Sequence, residues 1–191
     1  AVLAPFLWGG LPATEIPATV FYALEEVPGL AFPEATRTEI RNIFLSETER
    51  QRIEKAAGSR LESDMLSVHL GWQGDRLLGY AMLDPHMVRT LPEAFLVVID
   101  TAGRIERTHI LAFYEPLGYL PRQRWFRQFL GVSREDDLRL GWDIHGVSGA
   151  TLSARAATSS VRRFLAAYEV LIVGSKARPD PAASRPEASK E

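Results

Sequence analysis

Residues 143–157, DIHGVSGATLSARAA, hold the most concentrated chemistry in the chain. Ser148, Gly149, Ala150 and Thr151 stand where a loop gives way to a long helical pattern. The first turn of a helix offers N–H groups with no intrahelical partner and the positive end of the helix dipole. Such a place is a natural seat for a phosphate group. Gly149 lets the backbone come close to that group, and Ala150 keeps the approach unobstructed. The hydroxyls of Ser148 and Thr151 lie within reach, so a phosphate could be bound there or carried as an ester. Local physics alone favours a plainer reading, in which Ser148 or Thr151 caps the helix and does nothing more.

A rival chemistry is the serine-hydrolase elbow, because Gly146-Val147-Ser148-Gly149-Ala150 nearly matches G-x-S-x-G. The elbow needs a histidine later in the chain and a parallel sheet. No histidine follows His145, and the strands expected below form a meander. His69, His86 and His109 show no metal-ligand spacing and read as structural or exposed. Neither G-x-x-x-x-G-K-[ST] nor G-x-G-x-x-G occurs, so nucleotide binding by those routes has no support. Arg122, Arg124 and Arg127 read as a solvated helix face, with contact to an acidic redox partner as the second option.

The elements that must position this segment can be read from pattern. The length of 191 residues suits one domain, and 46% hydrophobic with 24% charged residues is an ordinary globular mixture. The net charge of −2 argues against a nucleic-acid partner, which calls for a basic surplus. The absence of cysteine excludes disulfides, thiolate metal sites and cysteine nucleophiles. An uncharged apolar run at residues 1–13, within an N-terminal segment 1–19, reads as the remnant of an export signal or anchor, or else as an arm packed on the domain. The folded domain is expected over 20–173, and a proline-rich, aromatic-free tail over 174–191 reads as disordered.

Within the domain, residues 28–38 read as a loop. Ser46 with Glu49 makes a capping box for a helix ending before Gly58. Apolar residues at 65–72 and 77–83 flank a turn at 73–75. A second strand pair is expected at 94–99 and 105–114 around a turn at 100–103. Residues 120–130 place Trp125, Phe126, Phe129 and Leu130 on one helical face, and 151–172 carry a long amphipathic helix. The expected fold class is α+β, an antiparallel meander sheet flanked by helices.

With these elements in order, the string SGAT-L-S at the head of a helix resembles the flavin-attachment motif of the FMN-binding domain family. That family includes the flavin-carrying subunits of sodium-pumping and Rnf-type respiratory complexes and many exported flavoproteins. The segment Glu115-Pro116-Leu117-Gly118-Tyr119, followed by Trp125 and Phe126, also resembles the family's pocket-building loop and aromatic helix. The resemblance spans roughly residues 49–171.

It implies an FMN-binding-domain-like fold with FMN esterified to Thr151 by a flavin transferase that uses FAD and magnesium. Ser148, Gly149 and Ala150 would be the recognition residues, and Glu115, Gly118, Tyr119 and Trp125 would help build the pocket. Arg155, one turn after Thr151, could reach the phosphate, and His145 could tune the flavin. Tyr114 and Trp142 are further candidates for an aromatic wall.

The implied role is electron transfer outside the cytoplasm, in the periplasm or its equivalent, rather than stand-alone catalysis. Redox protein partners would be a membrane complex or a cytochrome, with possible membrane association through the N-terminus. No nicotinamide-binding fingerprint supports a flavin reductase. The family commonly has Asp three residues before the motif's serine; here that position is His145, with Asp143 in a shifted register. This departure points to the alternative, a cofactor-free or non-covalently FMN-binding interaction or sensory module of a membrane complex.

Overall fold

In the computed structural model, residues 19–174 are described; the N-terminal apolar run and the tail lie outside them. Antiparallel pairing organises the chain. The strands are β1 (Thr19–Val20), β2 (Arg37–Phe44), β3 (Met65–Gln73), β4 (Arg76–Met87), β5 (Pro92–Asp100) and β6 (Ile105–Phe113). They form one sheet in the order β1-β6-β5-β4-β3-β2. Strands β2 to β6 make a meander, and β1 closes the far edge against β6. Short turns suffice from β3 to β6 because antiparallel neighbours need no crossover, and residues 45–64, which include a helix, join β2 to β3. The β5–β6 turn is locked by Asp100, whose Oδ1 accepts from the N–H groups of Ala102 (2.8 Å) and Arg104 (2.9 Å).

The helices are α1 (Val27–Ala31), α2 (Glu47–Ala57), α3 (Gln123–Phe126) and α4 (Thr151–Ala167). Helix α2 begins where the capping box places it. The Ser46 N–H donates to Glu49 Oε2 (2.9 Å), and Ser46 Oγ accepts from the Glu49 N–H (3.3 Å). The helix stops at Gly58, in the left-handed conformation at φ +66°. Helix α4 continues through Tyr168–Val173 as wider π-helical turns.

The sheet separates two apolar layers. On one face Val68, Leu70, Met82, Phe95, Val97 and Ile99 pack against Ile53 of α2, Phe126 of α3, and Val161 and Phe164 of α4. On the other face Ala81, Leu96 and Val98 are covered by Val27 and Ala31 of α1 and by Phe32. The Phe32 ring lies where a side chain at Gly71 would have to stand, which is why β3 carries a glycine there. The expected α+β meander is therefore the fold.

Several local expectations are corrected. Residues 28–38 do not form one loop. Pro28 and Gly29 sit inside α1, where a proline in the first helical turn loses no hydrogen bond, and β2 begins at Arg37. Strand β2 escapes a hydrophobicity reading because its inner side carries Glu39 and Arg41, which pair at 2.7 Å, while Ile40 and Phe44 face outward.

Strand β4 does not end at Leu83 but runs to Met87 through Pro85. The β3–β4 pairing reaches only to Val68–Met82, so beyond it the β3 side of β4 needs no donor from Pro85. Leu130 is 52% exposed rather than in the face shared by Trp125, Phe126 and Phe129. The segment after α3 tightens into a 3-10 turn, which rotates Leu130 outward. Among the described residues no helix is long and apolar enough to cross a membrane.

Candidate functional site

Thr151 is the first residue of α4 and is exposed. Neither Ser148 nor Thr151 caps the helix: the capping position belongs to Ala150, at φ −127° and ψ 30°, and no side chain accepts from the first turn. The capping reading is thereby corrected. The Thr151 hydroxyl instead donates backwards to the Val147 carbonyl at 3.3 Å, long for an O–H···O bond. The first α-helical bond within α4's opening turn runs from the Ala154 N–H to the Ala150 carbonyl (2.9 Å). The N–H groups of Thr151, Leu152 and Ser153 are left without partners in the helix.

Gly149 makes this arrangement. Its φ of +82° is a conformation that residues with a Cβ rarely adopt, and nothing lies within 4 Å of where a Cβ would stand. The chain thus turns sharply into α4 while leaving open space in front of its first turn.

That space continues into a cavity of about 210 Å³ lined by Val88, Arg89, Glu115, Tyr119 and residues 149–153. Three separate parts of the chain meet there: the β4–β5 turn, the loop after β6 and the start of α4. Glu115 is 6% exposed and stitches the first two together. Its Oε1 accepts from the Thr90 N–H (2.7 Å), the Leu91 N–H (2.9 Å) and the Thr90 hydroxyl (3.2 Å). The Thr90 backbone bond contributes most to holding the Glu115 carboxyl below the usual range, with Leu91, the Thr90 hydroxyl and the charge of Arg89 adding to it against burial. Across the mouth the Arg89 guanidinium lies 5.9 Å from the centre of the Tyr119 ring.

A prediction follows from the sign of that shift. Stabilisation from a carboxylate whose folded pKa is depressed is complete above its unfolded value, near 4.5, and is lost as pH falls through the folded value. Glu115→Gln should therefore lower the melting temperature at neutral pH, and the gap to wild type should close in acid. Thermal unfolding followed by circular dichroism across that range checks it; an equal gap at every pH would contradict it.

Thr151, Gly149, Ala150, Glu115 and Tyr119 all line this cavity, while Ser148 and Gly118 are exposed chain neighbours of the lining. Trp125, His145 and Arg155 do not line this cavity. Trp125 packs in the core, its ring centre 5.0 Å from that of Phe126 and 5.3 Å from that of Phe129. Its Nε1 donates to the His145 carbonyl (2.6 Å), so it anchors the loop leading to Ser148.

His145 is exposed, and its backbone N–H donates to Gln128 Oε1 (2.8 Å). Arg155 points to solvent. Trp142 is 79% exposed beside Arg139, and Tyr114 does not line the cavity. Sequence reasoning missed Arg89, Val88, Leu152 and Ser153. The first two lie in a turn beyond the point where β4 was expected to stop.

Thr151, Arg89 and the first residues of α4, whose N–H groups lack helical partners, all line one opening together with the Glu115 carboxyl, a set compatible with a phosphate ester. The cavity is smaller than the roughly 300–1,000 Å³ that encloses a whole drug-sized ligand. A group the size of FMN would enter only in part, with the remainder at an open mouth rimmed by Tyr119 and Leu152, 40% and 45% exposed. No protein-family model matches the chain, and no curated protein matches it.

Proposed function

We propose that this chain carries FMN as a phosphoester on Thr151 and works as an extracytoplasmic electron-transfer protein. The observation that supports it most is the uncapped α4 terminus: an exposed hydroxyl beside free N–H groups, opening on a cavity shared with Arg89, Glu115 and Tyr119. Bound FMN would supply one- and two-electron redox chemistry, which no side chain here provides.

The chain's own residues do the rest. Thr151 provides the ester oxygen. In attachment by a flavin transferase, that oxygen displaces AMP from the flavin phosphorus of FAD, and the hydroxyl proton is released. The N–H groups of the first α4 turn and Arg89 offset the phosphate charge. Glu115 fixes the turn that carries Arg89. Tyr119 offers the exposed aromatic surface. A bond at Thr151 also removes the need for full enclosure, which suits the small cavity. Redox partners, a membrane complex or a cytochrome, would meet the flavin at the open mouth.

One observation favours a second reading, a domain that binds FMN non-covalently or not at all and serves as an interaction or sensory module of a membrane complex. His145 stands where the family has Asp, and Asp143 does not replace it. The Asp143 Oδ2 is engaged by the Arg139 N–H (2.9 Å) and Nε (3.3 Å).

Intact-mass and absorbance measurements on the chain produced with and without a flavin transferase separate the readings. The proposal expects a flavin spectrum and the mass of FMN less one water, only when the transferase is present. Transferase-independent yellow protein of unmodified mass supports the non-covalent reading, and colourless protein of unmodified mass supports the cofactor-free one.

A further inference from the structure

Behind the cavity, between α4 and the β4–β5 hairpin, lies a row of buried polar groups that attachment at Thr151 does not use. Asp84 and His86 of β4 and Glu93 of β5 share the sheet face that α4 covers, with Arg163 and Ser160 of α4 opposite. Asp84 pairs with Arg163, whose Nη1 also lies 3.5 Å from Ser59 Oγ. His86 Nδ1 lies 3.1 Å from the Asp84 carbonyl oxygen and 3.3 Å from its Oδ2. This pair of contacts sets the imidazole with Nε2 turned away from Asp84.

Besides Ser160 Oγ and Arg163 Nε, two groups in the row leave buried polar atoms unpartnered. His86 Nε2 and both carboxyl oxygens of Glu93 are buried without a hydrogen bond, and Glu93 is 1% exposed. His86 and Glu93 are direct cross-strand partners, so both side chains leave the same sheet face with Cβ atoms about 5 Å apart. Phe113, the β6 neighbour of Glu93, brings no charge. An unpartnered buried carboxylate is costly, and the cost falls when the group holds a proton.

The His86–Glu93 end of the row lies close to the cavity along the chain. Val88 lies two residues past His86, about 7 Å along the strand, and it lines the cavity. Ser153 lines it too, and its hydroxyl is buried and unpartnered. At the cavity end the charged groups are Arg89 and Glu115.

We infer that Glu93, with His86 beside it, is a proton-exchange site serving the cavity: it takes up a proton when negative charge enters at the α4 terminus and releases it when that charge leaves. Asp84 and Arg163 are positioning residues that hold His86. Burial, reinforced by the Asp84 charge and opposed by His86, raises the Glu93 carboxyl to about 7, so the exchange falls in the neutral range. The inference does not depend on which anion occupies the cavity.

The test uses the full chain made without a flavin transferase. The Glu93 side-chain carboxyl carbon is followed by NMR from about pH 4 to about pH 9, assigned by its loss in Glu93→Gln. Its midpoint should be near neutral in wild type. In Thr151→Asp, which places a charge at the α4 terminus, the midpoint should rise by several tenths of a pH unit.

Stability gives a second readout. A group with a raised folded pKa loses stabilisation as pH climbs from its unfolded value, near 4.5, to about 7. Over that window the wild-type melting temperature should fall relative to that of Glu93→Gln. A Glu93 midpoint in the ordinary glutamate range, or one that Thr151→Asp leaves unmoved, overturns the inference. Neither result touches the attachment of flavin at Thr151, because no flavin is present.

Discussion

Arg163→Met should destabilise the folded domain by about 3–5 kcal/mol. Arg163 and Asp84 are 5% and 9% exposed and form an ion pair between α4 and β4. Truncating the arginine leaves the Asp84 carboxylate buried with His86 as its nearest remaining charge partner. Breaking one half of a buried pair is expensive because the other charge stays desolvated, whereas replacing both halves by apolar groups is often close to neutral. The double variant Asp84→Leu/Arg163→Met should therefore recover most of the loss.

Burial pushes the Asp84 carboxyl up, but the hydrogen bond with His86 and the charge of Arg163 outweigh it and hold the carboxyl below its usual value. The wild-type advantage should accordingly be full above about 3.8, the unfolded value, and shrink as pH falls through the depressed folded value. Urea unfolding of the three proteins at neutral and acid pH measures all of this. A single-variant loss below about 1 kcal/mol would mean that the pair behaves as an exposed one.

This buried pair shows where reading a sequence reaches its limit. Asp84, His86 and Glu93 look like scattered polar residues in a hairpin, and Arg163 like an interruption in an apolar helix face. Only the register of His86 opposite Glu93, and of α4 over β4, brings them together. The elements whose signals are local were legible. The Ser46–Glu49 box, the stop at Gly58, the turn after β5 and the apolar spacing of α4 all fall where their residues imply. Strand β2 was not legible, because an edge strand can turn an ion pair inward and leave Ile40 and Phe44 outside.

The candidate site divides along the same line. Residues next to each other in the motif, from Gly149 to Thr151, could be placed from the loop-to-helix transition alone. Glu115 and Tyr119 meet that motif across the fold, and only the resemblance put them there. Arg89 carried no signal, since its position depends on β4 passing through Pro85. Trp125 packs in the core and does not line the cavity; an aromatic residue beside a site and one in the core beneath it have the same pattern. The indole N–H bond to the His145 carbonyl ties this ring to the loop that leads to Ser148.

At Thr151 the expected effect is all-or-none. Thr151→Ala should abolish the covalent flavin mass completely, and Thr151→Ser should retain it, because the ester needs a primary or secondary hydroxyl and nothing else from the side chain. The same substitution to alanine should change stability by less than about 0.5 kcal/mol. The hydroxyl caps nothing, its one bond to Val147 is long and exposed, and alanine is the better helix former. This pairing of a total chemical effect with a negligible structural one distinguishes a tether from a packing residue. A lost mass increment together with a fall of several degrees in melting temperature would trace the loss to misfolding. Retention of the increment in Thr151→Ala would move the ester elsewhere, with Ser148 and Ser153 the hydroxyls to test next. Retention in Thr151→Ser also matters for geometry. Serine keeps the oxygen but loses the methyl that restrains χ1, so a reduced yield there would show that the transferase reads the orientation of the oxygen as well as its presence.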